Sequence, residues 1–208
     1  MNKTIFGLFA VILLFKPLTV QGALVEIDWL TGGDHLLTRD CETNLEWLDL
    51  TETAGYSYNQ IMGGEGDFIT SKGFRYASIS EIETLFMHTG LLVNQLEWVE
   101  GTEDAQALLN MIGTLYIDQY ILGTSGYSAD ASPYGTGQTV ANLFIYDFNG
   151  VLKYAAEANM NNGRSPDEGH YSTGSWLVRD VVVPIPGSLY LLASGLFSFI
   201  TLFRRKGK

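Results

Sequence analysis

Cysteine and histidine are nearly absent from this chain of 208 residues, which contains one cysteine and three histidines. One cysteine excludes a disulfide framework and any zinc or iron–sulfur site built from several cysteines. The histidines, His35, His88 and His170, are far apart, whereas zinc sites usually contain a close ligand pair such as two histidines four residues apart. We therefore expect no metal centre that depends on histidine or cysteine.

Basic residues are scarce in the middle of the chain. All 23 acidic residues lie from Glu26 to Asp180, and six of the 12 basic residues lie outside this window. The window therefore carries six basic residues against 23 acids, a net charge of −17. A surface of this sign repels phosphate and excludes a nucleic-acid-binding function. A hydrophobic share of 46% is typical of a folded chain rather than a disordered one.

The motifs of several enzyme classes are also missing. No Gly-x-Ser-x-Gly turn exposes a serine nucleophile, and no glycine-rich phosphate loop with its lysine occurs. Nothing in the sequence aligns Cys41 with His35 as a base. We expect a protein that is not an enzyme. Because acidic residues are abundant, the alternative is an exported hydrolase that acts on polysaccharide with a carboxylate pair.

The first 22 residues have the order of a secretory signal peptide. Lys3 supplies the positive charge, Ile5 to Phe15 is an uncharged apolar run, and small or neutral residues precede Ala23. The apolar run is shorter than the roughly 20 residues that span a bilayer. We predict that signal peptidase removes residues 1–22 and that the domain after them is exported.

Residues 181–208 combine a proline motif, an apolar run and a basic tail. Residues 187–203 are a helical candidate roughly 25 Å long, enough to cross a thin membrane. The basic tail is expected to stay in the cytoplasm, which leaves the acidic domain outside the inner membrane. The motif is Val183-Pro184-Ile185-Pro186, and the tail begins with Arg204, Arg205 and Lys206.

This ending resembles the PEP-CTERM class of sorting signals, in a variant with Ile185 where the namesake motif has glutamate. That class is associated with an exosortase, a membrane protease that recognises the signal, in Gram-negative bacteria that make exopolysaccharide or biofilm matrix. The resemblance implies a protein that is tethered to the inner membrane, or processed by an exosortase-type protease and released to the cell surface or matrix.

Residues 23–180 are expected to form one α+β domain. Leu24 to Trp29 alternates apolar and acidic residues as a half-buried strand does. Asn149-Gly150 between two apolar runs predicts a hairpin, and Ser175 to Val183 is predicted as a single closing strand. Strands before and after the helices indicate a mixed or antiparallel sheet.

Two main helices are predicted between these strands. The first has a capping box at Ser80 and Glu83 and ends at Gly90. The second runs from Thr102 to Gly113 with an apolar stripe on one face. A shorter helix is expected to begin at Ser57.

Several segments resemble exported bacterial proteins that carry this kind of sorting tail. The same landmarks occur in the Lcl C-terminal domain family, whose fold is similar to C-type lectins, and the resemblance therefore implies a lectin-like domain. Asn44 stands where the usual turn has glycine. The segments are 37–40, 44–50, 73–82 and 175–179.

Two long polar stretches, Gly123–Thr139 and Asn159–Thr173, are predicted as loops of the size that often carries function. Aromatic rings beside Asp and Asn suit carbohydrate, here an exopolysaccharide, and loop oxygens suit calcium, although the regular calcium-loop spacing is missing. Solvated connections, or a structural matrix protein without a small ligand, are the plainer alternatives. The candidate ligand-binding residues are Tyr127, Asp130, Tyr134 and Tyr171.

Overall fold

The structure is a computed structural model, and it describes residues 24–133, 137–158 and 163–181. The predicted signal peptide, Tyr134, the proline motif and the predicted helix at 187–203 lie outside these residues. Among the described residues, no helix is long and apolar enough to cross a membrane.

The described ranges form twelve strands and three α-helices. The helices are α1 (Tyr58–Met62), α2 (Ile79–His88) and α3 (Glu103–Ile112). The strands are β1 (Leu24–Ile27), β2 (Leu37–Asp40), β3 (Leu45–Leu48), β4 (Arg75–Tyr76), β5 (Val99–Glu100), β6 (Tyr116–Ile117), β7 (Ile121–Ala131), β8 (Gln138–Phe148), β9 (Val151–Glu157), β10 (Gly163–Arg164), β11 (Gly174–Ser175) and β12 (Leu177–Asp180).

The strands form two sheets. The first is antiparallel with the order β1-β2-β3-β12-β4, and the second has the order β11-β7-β8-β9-β5, with β10 beside β8 and β6 beside β7. In the second sheet β11 runs parallel to β7, and the remaining pairs are antiparallel. The predicted α+β class, the mixed or antiparallel pairing and the two main helices are confirmed.

One hydrophobic core joins both sheets and both long helices. On β8, residues alternate between its two faces, so Ala141, Leu143 and Ile145 enter this core. The residues between them point to the opposite face of the second sheet. The helices and the first sheet contribute Ile82, Leu85, Phe86, Ala105, Leu108, Leu109, Ile112, Leu45, Trp47 and Val178.

Trp176 links the two sheets, because it lies between β11 in the second sheet and β12 in the first. Its amide donates to the carbonyl of Tyr127 at 2.9 Å, and its carbonyl accepts from the amide of Ala77 at 2.8 Å. Its indole N–H donates to the carbonyl of Ala141 at 3.1 Å. The prediction of one continuous strand over Ser175–Val183 is wrong, because the chain changes sheets at this buried ring.

The prediction of a loop over Gly123–Thr139 is wrong at both of its ends, because β7 continues to Ala131 and β8 begins at Gln138. Residues 134–136, between the two strands, lie outside the described residues. Gly123 and Gly126 are residues of β7 that make room for aromatic rings. A Cβ on Gly126 would lie 2.9 Å from the ring of Trp176, and a Cβ on Gly123 would lie 2.1 Å from the ring of Phe144. Glycine in a strand often marks such a close approach.

Helix α2 begins two residues earlier than predicted. The capping box consists of Ser78 and Glu81, and Ser80 lies inside the helix. The predicted box at Ser80 and Glu83 has the same spacing and is wrong, because Glu81 also forms an ion pair with Arg75 that holds it at the helix start. The cap of α1 at Ser57 and Gln60 is confirmed.

We predict that Glu81 makes the stability of the fold depend on acid pH. Hydrogen bonds from Arg75 and Ser78, Arg75 first, lower the pKa of Glu81 from 4.5 to about 2. A pKa lowered by folding stabilises the folded state above the unfolded value, and this contribution is lost as the pH falls from about 4.5 towards 2. Chemical denaturation at stepped pH should show Glu81→Gln less stable at pH 7, with a shallower loss in acid.

Glu83→Gln is the matched control, because it removes the same charge from the same helix without touching the cap. It should keep the acid dependence of the native sequence. Equal pH profiles for Glu81→Gln and the native protein would contradict the assignment.

Candidate functional site

A groove of about 600 Å³ crosses the face of the second sheet that points away from the helices. This volume is within the range of small-molecule sites. Its floor is built by β7, β8 and β9. The described residues that line it are Trp98, Tyr116, Ile121, Ser125, Val140, Asn142, Phe144, Glu157, Gly163, Arg164 and Ser172.

A row of polar side chains, here called the polar row, crosses the groove floor. Strand register places Ser125 on β7 opposite Asn142 on β8, and Asn142 opposite Glu157 on β9. The Ser125 hydroxyl donates to Asn142 Oδ1 at 2.7 Å, and Asn142 Nδ2 donates to Glu157 Oε2 at 3.2 Å. Asn142 carries two N–H donors and two acceptor lone pairs, more than these bonds use. The polar row is therefore ordered and retains capacity for a ligand.

A second row, the aromatic row, lies beside the polar row. Tyr116 on β6 is opposite Gly123, which is opposite Phe144 and then Ala155. Trp98, directly before β5, continues this row beyond β9. The two rows are two residues apart along each strand, or about 7 Å. Rings of Tyr116, Phe144 and Trp98 therefore line the groove alongside hydrogen-bonding groups.

The ring of Tyr116 is held in place by a hydrogen bond outside the groove. Its hydroxyl donates to Asp118 Oδ2 at 3.0 Å, and this bond raises the pKa of Tyr116. Asp118 in turn accepts the amides of Tyr120 and Ile121 at 2.7 and 2.9 Å, which lower its pKa. The tight turn after β6 thereby fixes one wall of the groove.

The end of the groove beside the polar row is bounded by β10 and the segment that follows it. Pairing of β10 with the start of β8 brings Arg164 to this end, and its guanidinium donates to the Thr173 hydroxyl at 2.6 Å. Glu157 and Arg164 are the charged residues among the described lining, so their charges balance.

The candidate residues from the sequence lie in three different places. Tyr127 is buried and lines a smaller cavity of about 270 Å³ that shares Arg164 with the groove. Asp130 accepts the amide of Ile79 at 2.6 Å and so supports the start of α2. Tyr171 is 73% exposed, and its ring lies tilted against that of His170 with 4.4 Å between ring centres. None of these three described residues lines the groove, and Tyr134 lies outside the described residues.

The residues of the groove were missed because each is unremarkable in the linear sequence. Ser125 and Asn142 lie in segments interpreted as a loop and as an apolar strand, and Trp98 lies in a stretch without a clear pattern. Only strand register brings them together. The one available signal was alternation: Ile121, Gly123 and Ser125 point to one face, as Asn142 and Phe144 do.

Cys41 lies in the β2–β3 turn, beside a polar cluster with a structural role. His88, at the end of α2, contacts Asp40 at 2.8 Å and Glu42 at 3.3 Å. Asp40 is buried and accepts the amides of Glu42 and Thr43. The cluster ties α2 to this hairpin. Among the described residues, no group of three or more His, Cys, Asp or Glu side chains is placed to hold a metal ion.

Comparison with known proteins adds no further assignment. No protein-family model, no curated protein and no solved structure matches this chain. The chemistry of the groove is therefore interpreted from its own residues.

Tyr127 is expected to support the segment after β10 rather than to contact a ligand directly. Its hydroxyl donates to the carbonyls of Ser165 and Glu168 at 3.1 and 2.6 Å, and burial raises its pKa. Tyr127→Phe should lower the free energy of unfolding by about 0.5–1.5 kcal/mol and speed amide hydrogen exchange over residues 165–170. Tyr171→Phe, at an exposed ring, is the control and should change stability by less than about 0.5 kcal/mol. Unchanged exchange in Tyr127→Phe would contradict this role.

Proposed function

We propose that this chain is an exported cell-surface or matrix protein whose domain binds carbohydrate in the groove of the second sheet. The observation that carries the proposal is the pair of adjacent rows, one polar and one aromatic, on one sheet face. Sugars present hydroxyl groups around the ring and apolar C–H groups on its faces, so they need both kinds of partner at one site.

The distance between the polar row and the aromatic row suits a sugar ring. Ser125 and Asn142 are 5% and 6% exposed, so their polar atoms lie at the bottom of the groove, where a hydrogen bond is shielded from water. The aromatic row is about 7 Å away along the strands. A pyranose seated on the floor would place hydroxyls over the polar row and an apolar face against Trp98, Tyr116 or Phe144.

The described lining favours binding over hydrolysis. A hydrolase of the usual type needs two carboxylates on either side of the scissile bond, and Glu157 is the one carboxylate among the described lining residues. It lies at the end of the polar row, where it orients Asn142. Calcium binding on the polar loops stays a separate prediction.

The location of the protein is part of the same proposal. The signal-like residues 1–22, the −17 charge of the middle and the proline motif, apolar run and basic tail at residues 181–208 support export and a tether in the inner membrane. An exosortase-type protease is the proposed partner that processes the tail. An exopolysaccharide outside the cell is the proposed source of the carbohydrate.

Glycan-array binding of the full-length exported protein, purified in detergent, tests the binding proposal. The native protein should bind to one or more of the glycans on the array. Asn142→Ala should weaken that binding by about tenfold or more, because it removes hydrogen bonds at the groove floor. Tyr171→Ala is the control outside the groove and should keep full binding. Thermal unfolding of each variant separates loss of the site from loss of the fold.

If the native protein binds to none of the glycans on the array, carbohydrate binding is rejected. Equal glycan binding by Asn142→Ala and the native protein would show that the binding site is not the groove.

Cell fractionation and intact-mass measurement test the proposed location. The mature protein should begin at Ala23 and be found outside the cytoplasm, with the tail beyond the proline motif removed when the exosortase is present. Pro184→Ala with Pro186→Ala should leave the full C-terminus in place. A cytoplasmic protein that still begins with Met1 would contradict export, and a mature protein that ends at Lys208 would contradict processing.

A further inference from the structure

An aromatic surface continues beyond the groove along β8. Trp98, which belongs to the groove lining, lies 5.6 Å from the ring of Tyr146 and 5.5 Å from that of Phe148, measured between ring centres. The rings of Tyr146 and Phe148 are 4.4 Å apart. Trp98 is thus shared between the groove and this second group of rings, here called the aromatic extension.

The aromatic extension lies on the same sheet face as the groove. Asn142, Phe144, Tyr146 and Phe148 are spaced two residues apart on β8, so their side chains share one face. The path from Asn142 to Phe148 is six strand residues, or about 20 Å. That length exceeds one sugar ring and suits a run of several linked sugars.

The surface is solvent-accessible at its far end. Phe148 is 38% exposed, and Val151, its partner across the hairpin, is 47% exposed. A path that starts at the polar row can therefore leave the sheet over the hairpin tip without meeting a closed wall there. The face is therefore open at the hairpin end and bounded by β10 at the other.

The charges along this path balance. In the groove, Glu157 is matched by Arg164. On the aromatic extension, Lys153 lies opposite Tyr146 and forms an ion pair with Glu100 at 3.3 Å. The surrounding domain has a net charge of −17, which repels a polyanion. These charges favour an uncharged ligand.

We propose that the groove and the aromatic extension together bind a neutral, linear glycan chain along β8, with the polar row holding one sugar and Trp98, Tyr146 and Phe148 stacking on the sugars that follow. This inference depends on the proposed carbohydrate-binding function and adds the length, direction and charge class of the ligand.

Isothermal titration of the full-length exported protein in detergent tests the inference. The probes are neutral oligosaccharides of two and six sugars from the cello-, malto-, manno- and chito- series, with hexagalacturonate as the anionic comparison. In the series that binds, the hexasaccharide should bind about tenfold more tightly than the disaccharide, because it reaches additional rings. Hexagalacturonate should bind more weakly than the neutral hexasaccharide.

Two variants distinguish the subsites. Phe148→Ser should weaken hexasaccharide binding and leave disaccharide affinity unchanged, whereas Asn142→Ala should weaken both. Leu30→Ser, at an exposed apolar residue outside this face, is the matched control and should change neither. Trp98→Phe, which keeps an aromatic ring, should bind the hexasaccharide more tightly than Trp98→Ala does.

Equal affinity for two and six sugars, or a hexasaccharide affinity that Phe148→Ser leaves unchanged, would overturn the chain-binding inference while the proposed function stands. Preference for hexagalacturonate would overturn the neutral class. A length effect that disappears on dilution to monomer would assign the extension to a second copy of this chain. If no oligosaccharide binds in the titration and the protein binds to no glycan on the array, the proposed function itself is rejected.

Discussion

The rest of the structure depends on the buried indole of Trp176. It is the residue at which the chain leaves the second sheet and enters the first, and its backbone and ring hydrogen bonds reach Tyr127, Ala77 and Ala141. Its ring centre lies 6.2 Å from that of Trp47 in the first sheet and 5.7 Å from that of Phe86 in α2. Three layers are thereby held by one side chain.

The groove is a consequence of this packing. Because the ring of Trp176 occupies the core face of β7 and β8, against Gly126 and the carbonyl of Ala141, the neighbouring Ser125 and Asn142 must point to the opposite face. There they bond to each other and form the floor of an open site. The core and the polar row are two sides of one pair of strands, so the floor of the groove is supported by the core behind it.

Local patterns in the sequence were sufficient for the α+β class and for the hairpin at Asn149-Gly150, which joins β8 to β9 with a positive φ at both turn residues, 55° and 86°. They failed at Gly123–Ala131 and at Trp176, where composition indicates a loop and a continuous strand respectively, but tertiary packing decides. The candidate site could not be predicted for the same reason. Ser125, Asn142 and Glu157 meet only through strand register, which no local pattern specifies.

The most direct test of the account is an NMR titration of the isotope-labelled full-length protein in detergent micelles. The ligand is the glycan that the protein binds most strongly on the array. The account predicts that the largest shift changes fall on Ser125, Asn142, Phe144 and the indole N–H of Trp98, with the indole of Trp176 behind the sheet little changed. Shift changes centred on Tyr171 or Asp130, with β7 to β9 unaffected, would contradict the assignment of the groove as the binding site.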